Sequence, residues 1–195
     1  MARKQLTRRF FLAVFPPARI TGGIADLGAK GPKDWDWKAQ ADYHISLAFP
    51  GNLTAAEQKK LIKALRDFDF RPFKLSFESM GVFAREPEES RSKKHVLWAR
   101  PDIAADNALR ALHNKLAHFL KQRGFSYGLR QITPHLTVAK SEGAPELMED
   151  FAAANMGLKT PVWHCDRIEL RETLNRGSAP EGGRYKKVTE FLFRP

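Results

Sequence analysis

Two short stretches carry residue types that move protons, at matched spacing. In YHISLAF (43–49) an imidazole, His44, is followed after one apolar residue by a hydroxyl, Ser46. In HLTVAK (135–140) His135 and Thr137 repeat the arrangement around Leu136. In an extended strand alternate residues share a face, so each imidazole stands beside its hydroxyl. One such pair is explained by a packed histidine that happens to precede a serine. Two of them, each opening an apolar strand-like run, suggest an acid and a base. Imidazole titrates near neutrality, so one neutral and one protonated copy take a proton from a nucleophile and give one to a leaving oxygen. The hydroxyls donate to oxygens where negative charge develops. This is the set that splits a phosphodiester with water, and it calls for no metal.

Elements of both kinds must position these residues. Continuous apolar content predicts a buried strand over 9–15, and a helix over 20–27 weakened by Gly22 and Gly23. The His44 strand is expected over 43–49, ended by Pro50-Gly51, with a helix over 54–67 begun by a Thr54/Glu57 capping box. Alternation predicts a strand over 73–83 and another over 95–99; the longest helix is expected over 103–123, stopped by Gly124. A strand within 131–140, a helix over 145–154 and strands over 162–174 and 185–193 complete the reading. Strands and helices mingle without strict βαβ alternation, which points to the α+β class.

The chain also echoes itself. After HISLAF come a turn, a helix and FKLSFESM; after HLTVAK come a turn, a helix and VWHCDRIEL. The second strands begin at Phe73, 29 positions past His44, and at Val162, 27 positions past His135. A long unit occurring twice argues for duplication into two lobes rather than an array. Two lobes related by a twofold would set the histidines on opposite sides of one phosphate.

Composition bounds the partners. The chain has 195 residues and a formal net charge of +11, from 33 Lys and Arg against 22 Asp and Glu. That surplus suits polyanions, nucleic acid above all, or simply a basic surface. No apolar run is long enough to cross a membrane as a helix. The basic, then apolar start reads as a buried strand rather than a signal peptide, since FFLAVF is short and Pro16-Pro17 follows it. The single cysteine, Cys165, excludes an internal disulfide and a cysteine-based zinc site, and is consistent with a cytoplasmic location. The mixed-sign run REPEESRSKK (85–94) is expected to be an exposed loop.

With these motifs in place the sequence resembles the 2H phosphoesterase superfamily, known by two H-x-[ST]-x motifs, and within it the RNA 2′,3′-cyclic phosphodiesterases, also called 2′-5′ RNA ligases. The resemblance covers nearly the whole chain: RRFFLAVFPP as first strand, HISLAFPG as first motif, VLWA as central strand, TPHLTVAK as second motif and GGRYKKVTEFLF as last strand. It implies one bilobal domain over 1–195, with two pseudo-symmetric antiparallel sheets flanking a central cleft and helices outside. It implies hydrolysis of RNA 2′,3′-cyclic phosphate ends to 2′-phosphates, without a cofactor, on RNA ends or cyclic nucleotides; a monomer is the default expectation. His44 would be the general acid and His135 the general base, with Ser46, Thr137, Phe49 and Lys140 binding substrate. Lys140 stands where the family often has arginine; it keeps the charge but not the planar fork. Ser46 replaces the commoner threonine and keeps the hydroxyl. The alternatives are 2′-5′ ligation or cleavage in the same site, and an RNA-binding module without turnover.

Other polar residues are expected to be structural. His113 and His118, five apart on the long helix, do not share a face, and His164, Cys165 and Asp166 alternate across a strand. His95 is expected to be solvated and Trp98 to be core. Tyr43 and Arg130 flank the motifs, with contact to substrate and simple packing equally open.

Overall fold

The computed structural model describes residues 6–84, 94–125, 131–174 and 183–194. Among them the order is β1 (Arg8–Val14), α1 (Ala18–Lys30), β2 (Asp36–Trp37), a 3-10 turn (Gln40–Asp42), β3 (Ile45–Leu53), α2 (Ala55–Leu65), β4 (Phe73–Leu75), β5 (Phe77–Phe83), β6 (His95–Pro101), α3 (Ile103–Gln122), β7 (Leu136–Ser141), α4 (Pro145–Ala154), β8 (Trp163–Cys165), β9 (Arg167–Thr173) and β10 (Tyr185–Leu192). Arg130 and residues 85–93 of the charged run lie outside the described residues.

The sheet order is β10-β9-β1-β3-β7-β6-β5, with β2 added on β7 and all pairs antiparallel. The order is symmetric about its middle. β3 mirrors β7, β1 mirrors β6 and β9 mirrors β5. At the centre the two halves meet through one pair, Ile45 with Leu136, the residues that follow the two histidines. The same axis relates β4 to β8, which pair as a separate two-stranded sheet through Phe73–Cys165, Lys74–His164 and Leu75–Trp163. The echo in the sequence is therefore a structural twofold. It exchanges strands between halves, since β3 and β5 lie on opposite sides of the centre, as do β7 and β9.

Apolar alternation drives this arrangement. Ile45 and Leu47 on β3, and Leu136 and Val138 on β7, are fully buried, together with Leu109, Leu112, Leu116 and Leu120 of α3. Each such side chain contributes roughly 1.5–3 kcal/mol when removed from water. α3 packs on β3 and β4, and α4 on β5 and β6. His113 is buried within this layer at 2% exposure, its Nδ1 2.8 Å from the Leu47 carbonyl, as expected for a structural histidine.

Several boundaries differ from expectation. β3 does not stop at Pro50-Gly51 but runs to Leu53. Gly51 takes φ +88°, and the register against β1 shifts between Phe10 and Leu12, so the strand absorbs the turn signal as a bulge. The expected strand over 73–83 is two strands, because Asp102 accepts from the Ser76 backbone N–H and hydroxyl and turns the chain there. The strand over 162–174 breaks likewise at Asp166, whose carbonyl accepts from the Phe193 N–H. α1 is longer than expected, and β2 was not expected at all. The Thr54/Glu57 capping box is present, and Gly124 ends α3 at φ +77°.

Candidate active site

His44 and His135 sit one residue before the central pair. Because Ile45 opposes Leu136, the antiparallel register sets Ser46 across from His135 and Thr137 across from His44. The four residues alternate with fully buried neighbours on both strands and are themselves largely but not fully buried. They form one block on the face turned away from the helices.

Both imidazoles are held in the same way. His44 Nδ1 lies 2.6 Å from the carbonyl of Asp42, and His135 Nδ1 lies 2.7 Å from the carbonyl of Thr133. A carbonyl only accepts, so Nδ1 carries the proton in each ring and Nε2 is the basic nitrogen of the neutral imidazole. Aromatic walls fix the rings further. His44 lies 5.1 Å from Phe11, 5.3 Å from Phe15 and 4.9 Å from Tyr185, centroid to centroid. His135 meets Phe83 edge-on at 5.0 Å and Trp98 at 6.1 Å.

The electrostatics around His44 are distinctive. Burial against its aromatic walls pushes the imidazole down to about 4; the Asp42 carbonyl and carboxylate oppose this, while His135 and Arg171 add to it. His44 is thus neutral at neutral pH in the free protein, and its link to His135 places the two rings within electrostatic reach.

Phe49, 54% exposed, is part of the lining of two cavities. One, of about 370 Å³, is lined by Ser46, Phe49, Phe83, Ala84, Ile132, Thr133 and His135. The other, of about 150 Å³, is lined by Arg9, Phe11, His44, Phe49, Thr173, Arg184 and Tyr185. The structure therefore places His44 in one cavity and Ser46 and His135 in the other, with Phe49 in the lining of both. Thr137 joins them through the register. A bulge at Val138 against β6 returns Lys140 to the face of Thr137, opposite Val96 and beside Asp36 of β2. Lys140 lines neither cavity.

His164 and Cys165 separate from this block, whereas Trp98 packs beside His135. Trp98 is buried at 5% exposure. His164 is exposed between buried Trp163 and Cys165, and burial pushes the Cys165 thiol up to about 12. Tyr43 is buried, which pushes its phenol up to about 12. Among the described residues no group of three or more His, Cys, Asp or Glu is arranged to share a metal ion. The sequence reading missed Arg9, Thr173, Arg184 and Tyr185. They lie at the far ends of β1, β9 and β10 and reach His44 only through the sheet order.

A two-lobed fold that sets one H-x-[ST] motif from each half side by side on its two central strands defines the class of 2H phosphoesterases. The sequence profile of the 2′-5′ RNA ligase superfamily matches residues 16–177, and the chain belongs to that superfamily. Its relatives include an RNA 2′,3′-cyclic phosphodiesterase of Archaeoglobus fulgidus, 26% identical over 184 residues, covering 91% of this chain and 90% of that one. Another, from Bacillus subtilis, is 30% identical over 135 residues, covering 67% and 70%. A third, from Geobacillus stearothermophilus, is 26% identical over 144 residues; the match covers 70% of this chain but only 44% of that relative's length. In fold the chain is similar to crystal structures of E. coli LigT, among them one with 3′-AMP, at a TM-score of 0.72, 21% identity and coverage of 97% and 100%. The chain is an enzyme of the 2H phosphoesterase family, and no helix among its described residues is long and apolar enough to cross a membrane.

Proposed function

We propose that this protein opens 2′,3′-cyclic phosphates at RNA ends to 2′-phosphates, with His135 as general base and His44 as general acid. The observation that carries the reading is the matched pair of imidazoles, each with Nδ1 tied to the carbonyl two residues before it. His135 takes a proton from water as its oxygen attacks phosphorus. The P–O3′ bond breaks, and His44 gives its proton to the departing O3′, leaving a 2′-phosphate and a free 3′-hydroxyl. Ser46 and Thr137 donate to the non-bridging oxygens, and Phe49 offers a ring face to the base.

The depressed basicity of His44 fits this role once substrate is considered. A phosphodiester anion beside the ring favours the imidazolium, so His44 gains its proton with the substrate. Burial then makes that imidazolium a stronger donor than a solvated one. The names of the relatives, RNA 2′,3′-cyclic phosphodiesterases, support the same substrate class. The test is incubation of an oligoribonucleotide ending in a 2′,3′-cyclic phosphate, with EDTA present, followed by identification of the product. A 2′-phosphate end is expected. A 3′-phosphate, or no turnover, overturns the reading.

A further inference from the structure

The twofold makes the two histidine motifs equivalent, but it does not make their surroundings equivalent. Among the described residues, the cavity at His135 is lined by apolar and hydroxyl groups and the imidazole, with no Lys, Arg, Asp or Glu. The recess at His44 is lined by two arginines, Arg9 and Arg184, together with Thr173 and Tyr185, and by no carboxylate among the described residues. The neighbouring arginine on β1, Arg8, is spent on Glu172, and Arg171 on Glu169. Arg9 and Arg184 make no side-chain ion pair with the described residues.

The recess is also built firmly. The Arg184 backbone N–H donates to Asp42 Oδ1 at 2.7 Å, and its carbonyl accepts from the Leu174 N–H at 2.8 Å. The carboxylate of Asp42 is thereby turned onto the backbone, and it lines a different cavity with Gly183. Gly183 lies so close that a Cβ there would stand 2.3 Å from Asp42 Oδ1, so only glycine admits this clamp. Asp42 thus accepts from the His44 imidazole by its carbonyl and from the Arg184 backbone N–H by its carboxylate.

We infer that this recess is a phosphate subsite, and that it takes the 5′-phosphate of the same nucleotide whose 2′,3′-cyclic phosphate lies between the histidines. Size and charge sort the rest of that nucleotide. The larger cavity, with Phe49, Phe83 and Ile132 as walls, suits a nucleoside. The smaller one suits a compact anion held by two guanidiniums. The substrate would then lie with its base toward β5 and its 5′ side toward β9 and β10. The enzyme would prefer an end that continues into a chain, or at least bears a 5′-phosphate, over a bare nucleoside cyclic phosphate.

This inference rests on the proposed hydrolase reading, and two measurements separate their failures. The first compares kcat/KM for adenosine 2′,3′-cyclic phosphate with and without a 5′-phosphate. The wild-type protein should favour the 5′-phosphorylated form by about tenfold or more, the scale of one charge-assisted contact. Arg9→Ala and Arg184→Ala should each bring that ratio toward one, whichever way the absolute rates move, and Arg→Lys at either position should restore part of it. The second needs no turnover: calorimetric binding of adenosine 3′,5′-bisphosphate against 3′-AMP, with inorganic phosphate as competitor. Tighter binding of the bisphosphate, lost in the arginine variants, supports the subsite. Equal displacement of both ligands by inorganic phosphate would make the recess a site for free phosphate and overturn the link to the 5′ group. A wild-type ratio near one with equal binding of the two nucleotides overturns the subsite itself. Absence of turnover on both substrates contradicts the hydrolase reading, and calorimetry then decides the recess alone.

Discussion

His44 is the residue where environment and role bear most directly on each other. Its pKa of about 4 in the free protein lies below the ordinary value of a solvated histidine because burial disfavours the charged ring. The sign for binding follows. Between that value and the higher one reached beside a phosphate anion, the complex holds a proton the free protein does not. Nucleotide binding near pH 6 should therefore be accompanied by proton uptake, measurable by calorimetry in buffers of different ionisation enthalpy, and His44→Ala should abolish it. The sign for stability follows as well. The unfolded chain holds the His44 proton more tightly, so stability from this group is present above about 6.5 and is lost as pH falls toward 4. His44→Asn should flatten the fall in Tm over that window; an unchanged slope would show that the ring is not buried neutral. Both histidines and both hydroxyls were legible as a pair of motifs. Arg9 and Arg184 were not, because an isolated arginine at a strand end carries no signal until the sheet order places it.

At the level of elements, the capping groups do more than end helices. Asp102 caps α3 through the Ala105 N–H and also accepts from the Ser76 backbone N–H and hydroxyl. Burial raises its pKa, but these hydrogen bonds outweigh that and leave it lowered. Its contribution is present above the ordinary carboxylate range and lost as pH falls through its native value. Asp102→Ala should cost about 1–2 kcal/mol, the upper range for a cap, and Thr54→Ala about 1 kcal/mol or less, compared by urea unfolding at pH 7. The same side chain explains why the strand over 73–83 could not be read as two from alternation alone. Apolar periodicity runs through Phe73, Leu75 and Phe77 without a break, and the partner that bends the chain lies 26 positions away. The end of β3 was misplaced for the opposite reason. Pro50-Gly51 is a strong turn signal locally, yet pairing with β1 carries the strand past it with Gly51 in a left-handed conformation.

For the whole molecule, the twofold was legible because its two halves repeat the order motif, helix, strand at similar offsets. What the repeat could not show is the exchange of strands between halves, which depends on pairing rather than pattern. The surplus of positive charge belongs to this scale too. If flanking RNA phosphates lie against it, binding releases counterions and weakens as salt rises, whereas a cyclic mononucleotide offers few phosphates. The slope of log(kcat/KM) against log salt should be clearly steeper for a cyclic-ended oligonucleotide than for the mononucleotide. Equal slopes would show that the basic surface is not an RNA track. Lys140, held on the face of Thr137 by the bulge at Val138, should contribute as a charge to KM; an unchanged KM in Lys140→Ala would remove it from the binding surface.

The central claim is that the two imidazoles act as one acid/base unit, and single-turnover hydrolysis of a 2′,3′-cyclic-ended RNA by His44→Ala, His135→Ala and the double variant tests it most directly. With folding of each variant verified by circular dichroism, each single substitution should slow the reaction by about 10²-fold or more. The double variant should be little slower than the poorer single one, because neither partner works alone. Near-native turnover in either single variant, or losses that multiply in the double, would contradict the account.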